Sequence, residues 1–559
     1  MDISELLRRL PVASRIQRVY DTLRALSHEH RVLQHDYRQL QNAYSELTQA
    51  KVSEAGLGFG SIARGAKSSA DYEPWQHPYL TPQNIRSFRE YSDAVWAFAL
   101  DHAARHPEPF SCAFTPNLVQ NMYKWACLAQ DRGMNAALFT NDMDAMASSC
   151  PEWEEFDGEH PDVFDGPGFL AANAELRPRV PTHSVRNRPE DNELLVAFHD
   201  FCLGRRERLL EILASAPGMR HEPLLAYSGF HTYWALARAL ADYDVIYTAN
   251  VPFAAYFSGR PYCAFSVGGD LSWDCGRADD WGRAMTLTFN AARFLLISNP
   301  HTLGHSRRLG FTNGVYLPYP MDDRRYAPGE GAARRRWEAQ WGPGTYVLTT
   351  ARLDAKDKGY DERFMTILAS VARQRPDVRF VVVAWGTNAD RVRSSVAAAG
   401  LSKHVIFVLP AGKRRLIDYY RSCDIVLDQL VFGYYGATAL EAASVGKPII
   451  MKLRREQYAA LYDGDVMPAR HVEDVTELEA ALLDYIAHPL KRQQDGEAMR
   501  QWLVRTHGED RTVPLMLALL RLTADRVPLP ADLHNPLRAP MTPEEQAYHQ
   551  ARLSDASPQ

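Results

Sequence analysis

Two positively charged side chains stand six positions apart in the segment that runs from Ala351 to Asp361. Arg352 offers a planar fork of donors and Lys358 a mobile point charge, while Gly359 lets another backbone come close. Such a pair suits a diphosphate, whose developing negative charge it would stabilise as the diphosphate leaves. The alternative is a pair of solvated loop charges, which is the commoner case for an Arg and a Lys taken alone. The segment therefore predicts an anion site only together with other features.

A glycine-lined loop that opens a predicted helix is the second candidate site. The loop and the first turns of the helix contain Gly433, Tyr435, Gly436, Ala437, Thr438 and Glu441. The unpaired N–H groups and the positive dipole end of a helix attract phosphate. A carboxylate at Glu441 can accept both hydroxyl protons of a ribose, although an acidic residue in a first turn also simply complements the dipole. The two segments together predict a site for a nucleoside diphosphate.

The first half of the chain carries candidates of its own after predicted strands. Asp270 follows Gly268 and Gly269, where it would contact a sugar, orient an acceptor or simply make a turn. Asn117 either caps the helix that follows it or donates to a phosphate or sugar. His231 either serves the acceptor or is a structural histidine.

Two further patterns in this half are weaker. Asp142 and Asp144 have the spacing by which two carboxylates bridge a divalent cation to a diphosphate, but the tripeptide is frequent by chance and we expect no metal. The acidic and aromatic stretch from Pro151 to Asp165 contains Trp153, which would suit stacking on a carbohydrate. The alternative for this stretch is a surface insertion.

The elements that must position these residues follow an alternating pattern from about residue 110, where short apolar runs are separated by amphipathic stretches. This pattern is typical of parallel sheets covered by helices. The first series has predicted strands at 110–114, 136–140, 224–227, 245–248, 262–267 and 294–298, and helices at 117–131, 192–215, 281–292 and 300–309. The second series has predicted strands at 346–350, 378–384, 405–408, 425–428 and 448–451. Two such doubly wound domains bind ligands in the cleft at the carboxyl ends of their strands.

The rest of the chain divides around these two series. Residues 1–50 predict a coiled-coil helix with a seam at Ile16, Val19, Leu23, Leu26, His30, Leu33, Tyr37, Leu40, Tyr44 and Leu47. Homo-oligomerisation through residues 16–47, or docking to a partner helix, follows, and one amphipathic helix packed on its own domain is the alternative. We expect a linker and helix at 51–109, an N-terminal Rossmann-like acceptor domain at 110–325, a C-terminal Rossmann-like donor-nucleotide domain at 326–505, and a helix with an extended tail at 506–559.

Composition narrows the class of protein. The chain has 559 residues and a net charge of −5, so no global basic field exists to hold nucleic acid. Seven scattered cysteines favour reduced thiols, and neither a secretory leader nor a transmembrane segment is expected. These features predict a cytoplasmic protein, either free or peripheral to the inner face of a membrane.

Three segments resemble glycosyltransferase family 4, which has the GT-B fold, and the resemblance runs from about residue 223 to 490. The segments are Ala351–Leu353 with Lys358–Asp361, Tyr435–Gly436 with Ala439–Ala442 and Gly446–Pro448, and Leu317–Asp322 with Arg325–Pro328. The resemblance implies that Arg352 and Lys358 hold the diphosphate of the donor, Glu441 the ribose, and Gly436 with its neighbours the phosphate or donor sugar. It also implies retaining transfer from a nucleotide sugar, without a metal or another cofactor.

The sequence departs from the family pattern at two places. Gly433 stands where the family usually has a second Glu that touches the donor sugar, and Val267 stands where the segment beside the reacting sugar often has a His. The loop after the first strand also lacks the double glycine that is common in the family. A nucleotide-sugar epimerase and a sugar-nucleotide-binding scaffold without turnover therefore stay open as alternatives. A glycan, a lipid-linked glycan and a protein are all open as acceptors.

Overall fold

The computed structural model describes residues 76–141, 146–185, 233–277, 280–353, 358–360, 362–386 and 388–554, and the single residues 197, 205, 207, 208, 211 and 212. The predicted coiled coil of residues 16–47, the tripeptide from Asp142 to Asp144 and His231 lie outside the described residues. The strand predicted at 224–227 and most of the helix predicted at 192–215 lie outside them as well.

The described strands of the first half pair in parallel in one seven-stranded sheet. They are β1 (Ser111–Thr115), β2 (Asn135–Asn141), β3 (Thr182–Val185), β4 (Val245–Ala249), β5 (Tyr262–Phe265), β6 (Phe294–Ile297) and β7 (Gly314–Tyr316). The order across the sheet is β3-β2-β1-β4-β5-β6-β7, so the direction of winding reverses between β1 and β4. Most of their side chains are buried on both faces, as the continuous apolar runs predict, whereas those of the edge strand β3 are partly or fully exposed.

Helices cover this sheet, and short helical turns lie in its long loops. They are α1 (Pro82–Arg105), α2 (Asn121–Asp131), α3 (Glu152–Glu155), α4 (Gly166–Ala172), α5 (Trp234–Leu240), α6 (Phe253–Phe257), α7 (Asp280–Ala291) and α8 (Pro300–Arg308). The Thr81 side chain accepts a hydrogen bond from the N–H of Asn84, and Pro82 occupies the first helical position, so α1 begins where its sequence favours a helix start.

The second half forms a parallel six-stranded sheet in the order β10-β9-β8-β11-β12-β13. Its strands are β8 (Thr345–Thr349), β9 (Val378–Val383), β10 (Val405–Val408), β11 (Ile425–Leu427), β12 (Ile449–Met451) and β13 (Arg470–His471). The helices from here to the C-terminal end are α9 (Ala332–Trp341), α10 (Glu362–Gln374), α11 (Ala389–Ala398), α12 (Lys413–Ser422), α13 (Ala437–Ser444), α14 (Arg455–Leu461), α15 (Val475–Ala487), α16 (Pro489–His507), α17 (Glu509–Ala524) and α18 (Pro543–Ser554). The prediction of two doubly wound α/β domains is confirmed.

Helix α17 returns from the second half of the chain and packs against α1, β4 and β5 of the first. His102 Nε2 lies 2.7 Å from a carboxylate oxygen of Asp525, and Trp96 Nε1 donates to the carbonyl of Tyr316 at 2.8 Å. The C-terminal segment therefore completes the first domain rather than forming a unit of its own. The exact domain boundaries that the sequence suggests stay predictions. Among the described residues, no helix combines the length and the apolar character needed to cross a membrane.

Candidate functional site

The carboxyl edges of the two sheets face each other, and the loops that leave them meet. Asn299, which follows β6, donates from Nδ2 to the carbonyl of Tyr435 at 3.3 Å. Its Oδ1 accepts from the hydroxyl of Tyr458 at 2.6 Å. The loop after β6 therefore contacts the loop between β11 and α13. Both winding reversals, β1/β4 and β8/β11, open on this cleft, which is where ligands of doubly wound sheets bind.

The N-terminus of α13 is open to the cleft. Gly436 is exposed, and no atom lies within 4 Å of the place where a Cβ would stand. The first N–H groups of a helix have no acceptor within it, so the amides beyond Gly436 are available to an anion. The hydroxyl of Thr350, just beyond β8, donates to the hydroxyl of Thr438 at 3.4 Å, which ties the two predicted segments together.

The side chain of Tyr435 points away from this opening. It is buried, stacks on Tyr458 with ring centroids 4.5 Å apart, and its hydroxyl contacts Tyr462 at 2.7 Å and His507 at 3.1 Å. Its carbonyl already accepts from Asn299. Its N–H donates to the hydroxyl of Tyr458 at 3.2 Å. The structure therefore favours a structural role for Tyr435 over the predicted contact with the donor.

Arg352 and Lys358 lie at the same edge as the open helix. Arg352 is exposed just after β8, and its Cγ would lie 2.6 Å from a Cβ at Gly386. Burial raises the pKa of Asp428, which follows β11, and the ammonium of Lys358 opposes that rise, so the two groups are electrostatic neighbours. Gly359 has a φ of +84° and packs closely on the residues after β11. Both cations therefore stand at the point where the sheet reverses direction.

Glu441 is covered rather than open, with 1% of its surface exposed. Lys413 Nζ donates to its Oε1 at 2.6 Å, and the hydroxyl of Tyr420 donates to its Oε2 at 3.2 Å. Lys124 of α2 brings its Nζ to 4.0 Å from the same Oε1. The carboxylate thus faces the first domain, as predicted for a cleft residue, but three side chains that the sequence pattern did not indicate surround it.

A buried charge cluster continues from Glu441 into the first domain. Lys124 Nζ is buried and makes no hydrogen bond within the described part of the chain. Burial raises the pKa of Glu154, and Lys124, Arg325 and Lys413 oppose that rise. Such groups are costly to bury unless they are compensated. The cluster therefore connects the two domains electrostatically at the ribose end of the predicted site.

The stretch around Trp153 is an insertion that docks on the second domain. Trp153 is 4% exposed and packs on Phe169 in a small core of its own, so its ring is not available to stack on a carbohydrate. Glu155 bridges Arg325 at 3.0 Å and Arg414 at 2.7 Å. The backbones of 158–160 and 410–412 also pair, with N–H to carbonyl distances of 3.0 and 2.8 Å. The stacking hypothesis for Trp153 is wrong, and the interpretation of the stretch as a surface insertion stays a prediction.

Asn117 is buried, and its amide is fully used inside the first domain. Its Oδ1 accepts from the N–H of Tyr123 in the first turn of α2 at 3.0 Å, and its Nδ2 donates to Gln120 and to the carbonyl of Ser149. These contacts favour the capping role over contact with an acceptor. Val119 and Gln120 have φ values of 44° and 69°, so this loop takes left-handed backbone conformations without the glycines that usually supply them.

Asp270 shapes the loop that carries it. Its carboxylate accepts from the hydroxyl of Ser266 at 2.7 Å and from the N–H groups of Val267 at 3.0 Å and Leu271 at 2.8 Å. Burial raises its pKa to about 6 despite these bonds. The structure therefore favours the turn role that the sequence left open beside direct contact with substrate. Gly268, with a φ of +97°, and Gly269 keep the backbone of this loop close to the cleft.

Gly433, which replaces an expected Glu, has its space taken by another side chain. Its φ is +85°, and a Cβ there would lie 2.6 Å from Cγ of Arg454. Its N–H donates to Oε1 of Gln429 at 3.0 Å, and its carbonyl accepts from the N–H of Arg454 at 2.9 Å. The loop is therefore built for a residue without a side chain, and an arginine stem lies where the family carboxylate would begin.

Replacing Gly433 with the glutamate that is usual in the family should lower the stability of the fold. We expect Gly433→Glu to lower the free energy of unfolding by more than about 1–2 kcal/mol, because a Cβ in the left-handed region costs about that amount and Arg454 must move. Urea denaturation measures the change, and Gly433→Ala isolates the part caused by the Cβ alone, which is backbone strain together with the contact with Arg454. Arg454→Ala in the Gly433→Glu background should recover only the part caused by crowding. If Gly433→Ala were as stable as the wild type, the claim that a Cβ is strained at this position would be wrong.

The structure adds His301, which no sequence pattern indicated, to the cleft. It lies in the first turn of α8, and its ring contacts Tyr434 and Phe432 of the loop before α13. The one indication in the sequence is the short run from Asn299 to His301, which follows a predicted strand and marks a helix start. Lys124 and Lys413 are also invisible to motif reasoning, because each meets Glu441 from a distant part of the chain.

The comparisons with known proteins concern mainly the second half of the chain. Residues 334–502 match the family model described as glycosyl transferases group 1. Mannosylfructose-phosphate synthase of Agrobacterium fabrum is 27% identical over 157 residues, which cover 26% of this chain and 34% of that protein. D-inositol 3-phosphate glycosyltransferase of Acidothermus cellulolyticus is 26% identical over 157 residues, covering 27% and 35%. The matched region thus spans about a third of the length of these curated relatives.

The likeness to solved structures covers both domains. HepE of Anabaena, in a crystal structure with UDP and glucose, aligns with a TM-score of 0.50 and 14% sequence identity. The alignment covers 73% of this chain and 98% of HepE. At this identity the likeness establishes the fold, which is GT-B, with two facing parallel-sheet domains.

Proposed function

We propose that this protein is a retaining glycosyltransferase of family 4 that moves a sugar from a nucleotide-activated donor to a hydroxyl acceptor. The observation that carries the proposal is the open N-terminus of α13 at Gly436, which lies at the same edge as Arg352 and Lys358. This edge lies within residues 334–502, which match the group 1 model. An open helix end beside two cations suits the diphosphate of a nucleotide sugar.

The reaction we propose uses these groups on the leaving diphosphate. The bond between the anomeric carbon and the diphosphate oxygen breaks, and the acceptor oxygen bonds to that carbon on the same face. The acceptor proton passes to the departing phosphate oxygen, so that no enzymic base is required. Arg352, Lys358 and the amides of α13 stabilise the charge that develops on the diphosphate, which is where binding energy lowers a barrier.

Glu441 holds the ribose in this proposal. A carboxylate has about four acceptor positions, so Glu441 can keep Lys413 and Tyr420 and still accept a ribose hydroxyl. Lys124 belongs to the other domain, so a small separation of the domains uncovers the carboxylate. Entry of the nucleotide is therefore coupled to opening of the cleft.

The remaining parts of the proposal concern partners and surroundings. The acceptor is a hydroxyl of a glycan, a lipid-linked glycan or a protein, and neither a metal nor another cofactor takes part. Residues 16–47 associate as a coiled coil in a homo-oligomer, and the protein works in the cytoplasm, free or at the inner face of a membrane. The 63 basic and 68 acidic residues of the chain argue against a nucleic-acid partner.

A binding and turnover panel tests the function. We expect one nucleoside diphosphate and its sugar to raise the melting temperature, since ligands of the native state stabilise it. UDP-glucose, UDP-N-acetylglucosamine, GDP-mannose and their free diphosphates form the first panel. Transfer to glycan acceptors in the presence of EDTA, with the product anomer assigned by NMR, then tests retention and metal independence. Isomerisation of the donor without acceptor would instead indicate an epimerase, and binding without turnover a scaffold.

A further inference from the structure

The imidazole of His301 bridges the two loops that border the sugar end of the cleft. On one side its ring centroid lies 4.4 Å from that of Tyr434 and 5.4 Å from that of Phe432, both in the loop before Gly436. On the other side its Nε2 would lie 3.1 Å from a Cβ at Gly268. The absence of a side chain at Gly268 therefore makes room for the ring, and the same glycine keeps Nε2 at the surface of the loop that follows β5.

The ring is buried, yet one of its two nitrogens is not used by the fold. His301 is 5% exposed, and its Nδ1 has no hydrogen-bond partner among the described residues. Burial lowers its pKa to about 3, so the ring is neutral at physiological pH and offers one N–H donor and one acceptor. A buried polar group without a partner costs free energy, which a core residue of the same shape would avoid. This cost is explained if a ligand supplies the missing partner.

We propose that His301 binds the donor sugar by a hydrogen bond between its imidazole and a sugar hydroxyl. The inference rests on the proposed function, in which the diphosphate lies at Gly436 and the sugar therefore extends toward the loop that holds Gly268 and Gly269. His301 stands between these two points. Asn299 fixes the start of α8 to the second domain through Tyr458 and Tyr435, so the imidazole is placed by contacts of both domains. The imidazole of His301 can therefore bind the sugar only when the cleft is closed.

Three substitutions separate hydrogen bonding from packing. His301→Phe keeps an aromatic ring beside Tyr434 but removes both nitrogens, His301→Gln keeps a donor and an acceptor, and His301→Ala removes both functions. Ser306→Ala is the control on the same helix, because the Ser306 hydroxyl donates only to the carbonyl of Thr302 inside α8. Calorimetry gives the dissociation constants of UDP-glucose and UDP, and of GDP-mannose and GDP, for each protein.

We expect His301→Phe and His301→Ala to weaken binding of the nucleotide sugar by about tenfold, which is one neutral hydrogen bond. Binding of the free diphosphate should change by less than about twofold, because His301 does not reach the phosphates. His301→Gln should keep most of the difference in affinity between the nucleotide sugar and the free diphosphate. Ser306→Ala should keep all of this difference. If His301 had only a structural role, its substitution would change the affinities for both ligands equally or would change neither.

The outcomes distinguish this inference from the proposed function. If the wild type binds no nucleotide sugar of either pair, both proposals fall. If the wild type prefers the nucleotide sugar and the Phe variant keeps that preference, only the assignment of His301 is wrong.

Discussion

Lys358→Met should lower the rate of sugar transfer by about 100- to 1,000-fold, the size of effect that follows loss of one group that stabilises developing charge. Lys358 is partly exposed at the open end of the proposed nucleotide site and lies near the buried carboxyl of Asp428. Without the ammonium, the departing diphosphate keeps only Arg352 and the amides of α13. The substrate would still bind through its nucleoside, so kcat should fall more than KM rises.

Steady-state kinetics with the donor found in the panel measure this change. Lys403→Met is the matched control, because Lys403 is exposed in the turn before β10, at the opposite edge of the same sheet. Urea denaturation should give nearly equal free energies of unfolding for both variants. Lys358→Arg should recover part of the rate, since the charge returns with a different geometry. Full activity of the Lys358→Met enzyme would show that the diphosphate does not bind beside Lys358.

Glu441→Gln should have the largest effect on stability. The substitution leaves the buried Lys124 and the partly exposed Lys413 beside a neutral amide, and loss of one partner from a buried ion pair costs about 3–5 kcal/mol. Nucleotide affinity should fall with it, because the amide has fewer acceptor positions for a ribose. Chemical denaturation measures the first effect and calorimetry with the free diphosphate the second.

A surface ion pair of the same length is the control for this prediction. Arg334 Nε lies 2.6 Å from Glu338 Oε1, as Lys413 Nζ lies 2.6 Å from Glu441 Oε1, but Glu338 is 40% exposed. Glu338→Gln should therefore cost less than about 1 kcal/mol. Lys413→Met in the Glu441→Gln background should restore part of the stability, which a double-mutant cycle quantifies. Equal costs for the two Glu variants would mean that water reaches Glu441.

The strands of both sheets show which elements a sequence predicts well. The predicted strand at 405–408 agrees with β10, and those at 346–350 and 378–384 with β8 and β9 to within one residue at either end. Their runs of Val and Ile are apolar because both faces of a parallel sheet are covered. Three strands on the edge sides of the sheets, β3, β7 and β13, were not predicted. Strands β3 (Thr182–Val185) and β13 (Arg470–His471) are polar and partly exposed, so no apolar run distinguishes them from a loop.

The nucleotide half of the candidate site was predictable for a similar reason. Arg352, Lys358 and Gly436 each follow a strand or open a helix, so local spacing places them at one edge of a parallel sheet once the fold class is known. Local spacing says nothing about which side chain covers another. It therefore left the roles of Asn117 and Asp270 open, and the structure assigns their polar atoms to a helix cap and a loop.

What the sequence determined by itself is the division into two series of parallel strands and helices, and the placement of Arg352, Lys358 and Gly436 after strands or at a helix start, because these depend on periodicity and on residues close together in the chain. The order of the strands across each sheet came only from the tertiary structure. Only the tertiary structure decided how the sugar half is built. Lys124 meets Glu441 across more than 300 positions, Arg454 fills the space beside Gly433, and His301 reaches Tyr434 across the cleft. Contacts of this kind arise from packing of whole domains, and neither periodicity nor spacing records which distant side chains that packing brings together.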